Sequence, residues 1–141
     1  MPLQSILHRS PRPAMLLPLA ACFAFCFLSS SQASEPILVI VSLKNPSTVV
    51  RSNAKTGSFL GSIPVRNAIS VGSDRTTIAV LSSNGSVSRY NAQTGAFIGT
   101  FSFGGKDNSI QVTSGTIIVQ TDNTLNRYNA KSSSFIGSSG I

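Results

Sequence analysis

Beyond residue 34 the apolar positions come in short bursts, and each burst is followed by a turn former and then by a more polar return. The bursts are Ile37 to Val41, Ile78 to Leu81 and Ile117 to Val119. Runs this short and this rich in β-branched side chains predict strands covered on both faces. The turn formers are Asn45-Pro46, Asn84-Gly85 and Asp122-Asn123. Asn-Gly is the strongest hairpin signal of the three, because both residues tolerate positive φ. The chain then returns over Thr48 to Ser52, Ser86 to Tyr90 and Thr124 to Tyr128, which completes a predicted hairpin each time. An outgoing strand comes next, clearest where Phe97, Gly99, Phe101 and Phe103 alternate with Ile98, Thr100 and Ser102, since period two places the two sets on opposite faces. Ala68 to Val71 and Ser109 to Thr113 precede two of the bursts and predict a fourth strand. Strands this close in sequence pair antiparallel.

These elements recur with a period of 38 residues and no gap. Residues 49–61 read VVRSNAKTGSFLG, residues 87–99 read VSRYNAQTGAFIG, and residues 125–137 read LNRYNAKSSSFIG. Five columns are identical: Arg51, Arg89, Arg127; Asn53, Asn91, Asn129; Ala54, Ala92, Ala130; Phe59, Phe97, Phe135; and Gly61, Gly99, Gly137. A sixth column, Thr56, Thr94 and Ser132, keeps a hydroxyl. Gly57 and Gly95 close the five-residue turn where a left-handed residue is needed, and Ser133 replaces them in the third copy. If that turn keeps the same backbone, a residue with a Cβ costs about 1 kcal/mol there, so the third unit is expected to be the loosest.

Four short antiparallel strands repeated at about 40 residues mark a propeller blade, whereas a helical solenoid would carry 3.6-residue spacing. The fold class expected is therefore all-β, a partial β-propeller of about three four-stranded blades spanning 37–65, 66–103 and 104–141. The string Arg-Tyr-Asn-Ala-Gln-Thr-Gly-Ala-Phe-Ile-Gly resembles the repeat of bacterial seven- or eight-bladed propellers of the quinoprotein-like and NHL/YVTN kind. Gly61-Ser62-Ile63-Pro64-Val65-Arg66-Asn67 resembles their blade-to-blade joint. The resemblance covers residues 37–141 and implies a blade, not an activity, because such blades serve enzymes, sensors and scaffolds alike. A quinone cofactor in that family goes with blade tryptophans and with acidic and cysteine ligands. This chain has no Trp and no Cys after Cys26, so no cofactor is expected. Fewer than three full blades do not close a ring of six to eight, and the open array exposes unpaired edges. Three readings are open: pairing with another copy into a ring of about six blades, an open three-blade stack, or a truncated remnant of a longer gene.

The first 33 residues read differently. Arg9 and Arg12 lie in the opening segment, and Ala14 to Leu28 then run without a charge, as the n- and h-regions of a signal peptide do. Ser31-Gln32-Ala33 offers small residues at the positions a signal peptidase reads, so cleavage after Ala33 is expected, with export to the periplasm or the medium. Two alternatives stand beside this. The apolar run, with Pro18 inside it, is short for a span of about 20 residues, but retained it would anchor the chain. Leu19-Ala20-Ala21-Cys22 resembles a lipobox, which would make Cys22 an acylated first residue, although Phe23 to Leu28 stay apolar where a lipoprotein turns polar.

Both cysteines, Cys22 and Cys26, and the single His8 fall in that segment. The rest of the chain has no material for a disulfide framework, a Cys/His metal site, a thiol nucleophile or a His-based triad. Nine basic residues stand against Glu35, Asp74, Asp107 and Asp122, a balance of +5 after residue 34. Positive charge raises the local concentration of anionic ligands. Here it is scattered without a basic run, so a modestly basic surface is expected and a nucleic-acid partner is not. Ser52-Asn53-Ala54-Lys55 and Lys55-Thr56-Gly57 match strings of penicillin-binding enzymes, but they share one lysine inside a repeat turn, whereas in the enzymes they are distant. Asn84-Gly85-Ser86 matches a glycosylation sequon and is better read as a hairpin turn, and Gly104-Gly105 has no helix behind it to cradle a phosphate.

The column Arg51, Arg89 and Arg127 is the candidate binding feature, since symmetry places it at equivalent points on successive blades. It forms either a basic arc or a set of structural residues whose stems pack on the neighbouring blade and whose guanidinium groups bond turn carbonyls. Tyr90 and Tyr128 beside it are candidate stacking platforms for a carbohydrate, with Ser52 breaking the column. The expected function is an exported, non-enzymatic binding or assembly module for protein or carbohydrate partners. The alternative is a remnant of a larger propeller enzyme, of lyase or hydrolase type, without independent activity.

Overall fold

The computed structural model describes residues 35–103 and 107–141. The segment expected to direct export, with Cys22 and the cleavage point after Ala33, and the loop Gly104–Lys106 lie outside the described residues. Ser34–Ile141 forms one compact unit.

Every element described is a strand, and the strands form three antiparallel sheets. The first holds β1 (Val39–Asn45), β2 (Thr48–Asn53) and β3 (Phe59–Pro64), in that order. The second holds β4 (Ala68–Ser73), β5 (Thr77–Ser82), β6 (Ser86–Asn91) and β7 (Phe97–Ser102), again in chain order. The third runs β8 (Asp107–Thr113), β9 (Thr116–Thr121), β10 (Thr124–Asn129) and β11 (Phe135–Gly140). The first sheet thus has three strands among the described residues, in line with its missing fourth pattern.

Two apolar layers hold the sheets face to face. Val39, Val49, Ile63, Ile78 and Val80 fill the layer between the first and second blades, while Ala79, Leu81, Val87, Ile110, Ile117 and Val119 fill the layer between the second and third. β5 feeds both layers with alternate residues, which is why all six of its positions are buried and its sequence is a continuous apolar run. β1 borders only one layer. Its Val39 is 3% exposed and the neighbouring Ile40 is 53% exposed, so the expectation of cover on both faces holds for the middle blade and fails for the first. The inner strands β4 and β8 come together at Gly72, where an added Cβ would lie 3.0 Å from Gln111 Cα.

The outgoing strand departs from simple alternation. Tyr90 pairs with Phe97 and Arg89 with Gly99, so a bulge at Ile98 interrupts the ladder. The extra residue turns Phe97 to the face of Tyr90, with ring centroids 5.6 Å apart, and leaves Gly99 on the face of Arg89. Phe97 therefore does not share a face with Gly99, Phe101 and Phe103. The same bulge recurs between Arg51 and Ser52 and between Arg127 and Tyr128.

Candidate functional site

The repeated Asn opens each turn. Asn91 Oδ1 accepts from the backbone amides of Gln93 and Thr94, both at 2.9 Å, and Asn53 and Asn129 do the same for Lys55 and Thr56 and for Lys131 and Ser132. This Asx arrangement replaces hydrogen bonds that the turn backbone cannot make to itself. Inside the turn, the Thr94 hydroxyl accepts from the Ala96 amide at 3.2 Å. The repeated Ala tucks beneath the turn, and its amide reaches the residue just before a strand of its own blade: Ala54 to Leu38 before β1, Ala92 to Thr76 before β5 and Ala130 to Gly115 before β9.

What the turn offers outward is a pair of carbonyls, and the Arg column finds them. Arg51 Nη1 donates to the carbonyls of Ala92 and Gln93, each at 3.1 Å, and Arg51 Nη2 donates to Leu60 O at 3.2 Å. One blade further on, Arg89 Nη1 donates to Ala130 O and Lys131 O at 2.8 Å. Both arginines are only 7% exposed. Two members of the column are thus inter-blade staples, with the geometry of the structural reading and not of a surface arc. The third differs: Arg127 is exposed and turns back to donate to Ser139 Oγ at 3.1 Å.

The guanidinium groups explain two glycine positions. A Cβ on Gly61 would lie 2.9 Å from Arg51 Nη2, and one on Gly99 would lie 3.0 Å from Arg89 Nη2, whereas Gly137, opposite the displaced Arg127, has open space. Gly95 combines a φ of +77° with an added-Cβ distance of 2.9 Å to Arg51 Cζ. At the matching place in the third blade Ser133 adopts φ 64°, and its Oγ is buried without a hydrogen-bond partner. The third turn keeps the backbone conformation expected from its sequence.

Tyr90 packs against the layer between blades one and two, and Tyr128 sits 4.8 Å from the Phe101 ring in the layer between blades two and three. Burial pushes the Tyr90 hydroxyl up, against a downward pull from the Ser88 side chain. Tyr90 also lines an open cleft of about 420 Å³ at the first junction, together with Arg66, Asn67, Ser82, Ser88 and Thr100. Asp74 ties the second junction, accepting at Oδ2 from the Gly115 amide at 2.9 Å and at Oδ1 from the amides of Thr76 and Thr77 at 2.8 Å. Burial opposes its charge, but the backbone donors Gly115, Thr76 and Thr77 and the Thr76 hydroxyl prevail and hold the carboxyl below its ordinary value. Among the described residues no three His, Cys, Asp or Glu side chains gather to hold a metal.

Sequence reasoning singled out the Phe column without giving it a place. Phe59, Phe97 and Phe135 are 67%, 62% and 58% exposed. Each opens the outermost strand of its blade, β3, β7 or β11, whose far edge carries no strand partner among the described residues. The signal available was their identity in all three copies, while alternation alone put Phe97 on one face with Gly99 and Phe101.

No protein-family model matches the chain, and no curated protein matches it in sequence. Solved structures do match. BamB from Moraxella catarrhalis superposes with a TM-score of 0.59 at 15% identity, over 73% of this chain and 32% of that one. Apo AztD from Citrobacter koseri gives 0.59 at 12% identity, over 73% and 32%. Sqt1 from Saccharomyces cerevisiae gives 0.58 at 12%, over 71% and 29%. These are propeller-type structures, and the chain has the fold of a partial β-propeller. It spans about a third of the length of the chains it matches.

Proposed function

We propose that this chain is an exported, non-enzymatic binding or assembly module whose blades belong with the quinoprotein-like and NHL/YVTN group of bacterial propellers. The observation that carries this reading is the Phe column. Three aromatic rings stand exposed at the same point of three successive blades, each on the outermost strand of its sheet among the described residues. Exposed aromatic side chains repeated blade by blade offer contacts to a partner, and a sheet edge accepts an extended segment of a protein partner. The Asn column is committed to turns and Arg51 and Arg89 to staples, which leaves the outer strands as the surface the repeat multiplies. Export is inferred from the segment preceding residue 34, with the periplasm or the medium as destination, or the membrane if Cys22 is acylated.

A second reading, carbohydrate binding, draws on the hydroxyl-lined cleft beside Tyr90. Both are tested by expressing the full chain in a bacterial host with a photoreactive residue in place of Phe59, Phe97 or Phe135. Protein cross-links from all three positions, and none from a control at exposed Thr113, are expected. A folded protein that yields no protein cross-link there would overturn the reading, and retention on a glycan array would turn it to the second.

A further inference from the structure

We propose that a second copy of this chain docks head to tail on the first, the outer face of blade three against the outer face of blade one, through a matched polar seam. This rests on the reading of the chain as an assembly module and names the partner.

Each internal junction is built from the same three contacts. An Arg of one blade takes the turn carbonyls of the next: Arg51 on Ala92 and Gln93, then Arg89 on Ala130 and Lys131. An apolar residue of the outer strand meets a Tyr of the next blade: Ile63 shares a layer with Tyr90, and Phe101 lies 4.8 Å from Tyr128. An apolar residue of the middle hairpin shares a layer with a Val: Leu43 with Val80, then Leu81 with Val119.

The ladder registers identify the same positions on the two end faces that no described blade covers. Ile63, Phe101 and Ser139 oppose Val49, Val87 and Leu125, and so occupy one column. Leu43, Leu81 and Gln120 oppose those same residues from the other side. On blade one, Ser52 stands where Tyr90 and Tyr128 stand, and Ser42 where Val80 and Val119 stand. The uncovered faces therefore differ from the internal ones in a paired way. Where an internal junction sets Phe101 on Tyr128, the two ends present Ser139 and Ser52. Where it sets Leu81 beside Val119, they present Gln120 and Ser42. Where it sets Arg89 on a turn, they present Arg127 and the carbonyls of Ala54 and Lys55, which no described residue takes up.

End blades that face solvent turn polar for solubility, so the polar changes alone single out no partner. What points to a second copy is what the two ends keep: Arg127 on one, the acceptor turn on the other, and Ile40, 53% exposed in the column where Ile78 and Ile117 are fully buried. Docking moves Arg127 from Ser139 onto Ala54 and Lys55 of the second copy and sets hydroxyl and amide side chains against one another. Two such seams close a two-fold ring of six blades. With less apolar area than the internal junctions, the seams open reversibly.

Sedimentation equilibrium of the whole protein purified after export, across a range of concentrations, tests this. A reversible dimer is expected. Arg127→Ala should weaken it at least tenfold while leaving the circular dichroism and the thermal midpoint of the diluted protein unchanged. Ser52→Tyr combined with Ser139→Phe rebuilds the internal aromatic contact across the seam and should tighten the dimer by more than the product of the single changes. A protein monomeric at every concentration, or a dimer indifferent to all three variants, would overturn the proposal. Cross-linking from the Phe column does not depend on this seam, so the seam and the module reading fail separately.

Discussion

Arg89 Nη1 lies 2.8 Å from the carbonyl oxygen of Ala130, 41 residues further along the chain and one blade away. The same nitrogen reaches Lys131 O, so one guanidinium group serves two turn acceptors, of which the Ala130 carbonyl is taken up in a buried bond. A charged donor on a shielded carbonyl is worth more than a neutral one, and removing it leaves the acceptors unpaired.

Arg89→Ala is therefore expected to destabilise the protein by about 2–3 kcal/mol, measured as a lower urea midpoint at unchanged slope. Arg89→Lys should recover only part of this, since an ammonium lacks the planar fork.

Gly99 and Gly137 occupy equivalent places in the repeat and should respond differently to a methyl group. At Gly99 the new Cβ meets Arg89 Nη2 at 3.0 Å, and Gly99→Ala is expected to cost about 1–2 kcal/mol through displacement of the staple. At Gly137 the space is open, and Gly137→Ala should fall within about 0.5 kcal/mol of the parent in the same urea titration.

Ser133 holds a φ of 64° and a buried, unpaired hydroxyl. Ser133→Gly restores the residue used in the other two turns and should raise stability by about 1 kcal/mol. The reverse change, Gly95→Ser, should lower it by more, because its Cβ meets the Arg51 guanidinium at 2.9 Å. Differential scanning calorimetry of the two variants checks both signs.

The carboxyl of Asp74 titrates below its ordinary value of 3.8 in the folded protein. A folded-state value below the unfolded one contributes stability that is present above the unfolded value and lost as the pH falls through the folded one. Acidification below about pH 4 should thus loosen the tie from Asp74 to Gly115. Hydrogen exchange of the Gly115 amide, corrected for intrinsic rates, is expected to accelerate there, and Asp74→Asn should remove that pH dependence.

Much of the architecture was legible in the residues. The period of 38, the three hairpins and the turns announced by Asn53, Asn91 and Asn129 depend on contacts a few residues apart, so local pattern suffices to read them. The face of Phe97 was not legible. Alternation placed it with Phe101, and one bulged residue, Ile98, reversed it. The bulge is set by how the backbone must leave the Arg89 pairing and enter the turn, which hydrophobic period does not record.

The chain by itself determined that three like units exist, how each folds back on itself, and that Ser133 breaks the pattern of Gly57 and Gly95. Only the tertiary structure decided what the Arg column does, because the fate of a guanidinium group depends on whether a carbonyl pair from the next blade stands before it. Arg51 and Arg89 meet such a pair and are buried, while Arg127, in the same column and followed like Arg89 by Tyr-Asn-Ala, is exposed. Identical residues separated by one period thus end as staples or as a free face, according to what packs beside them.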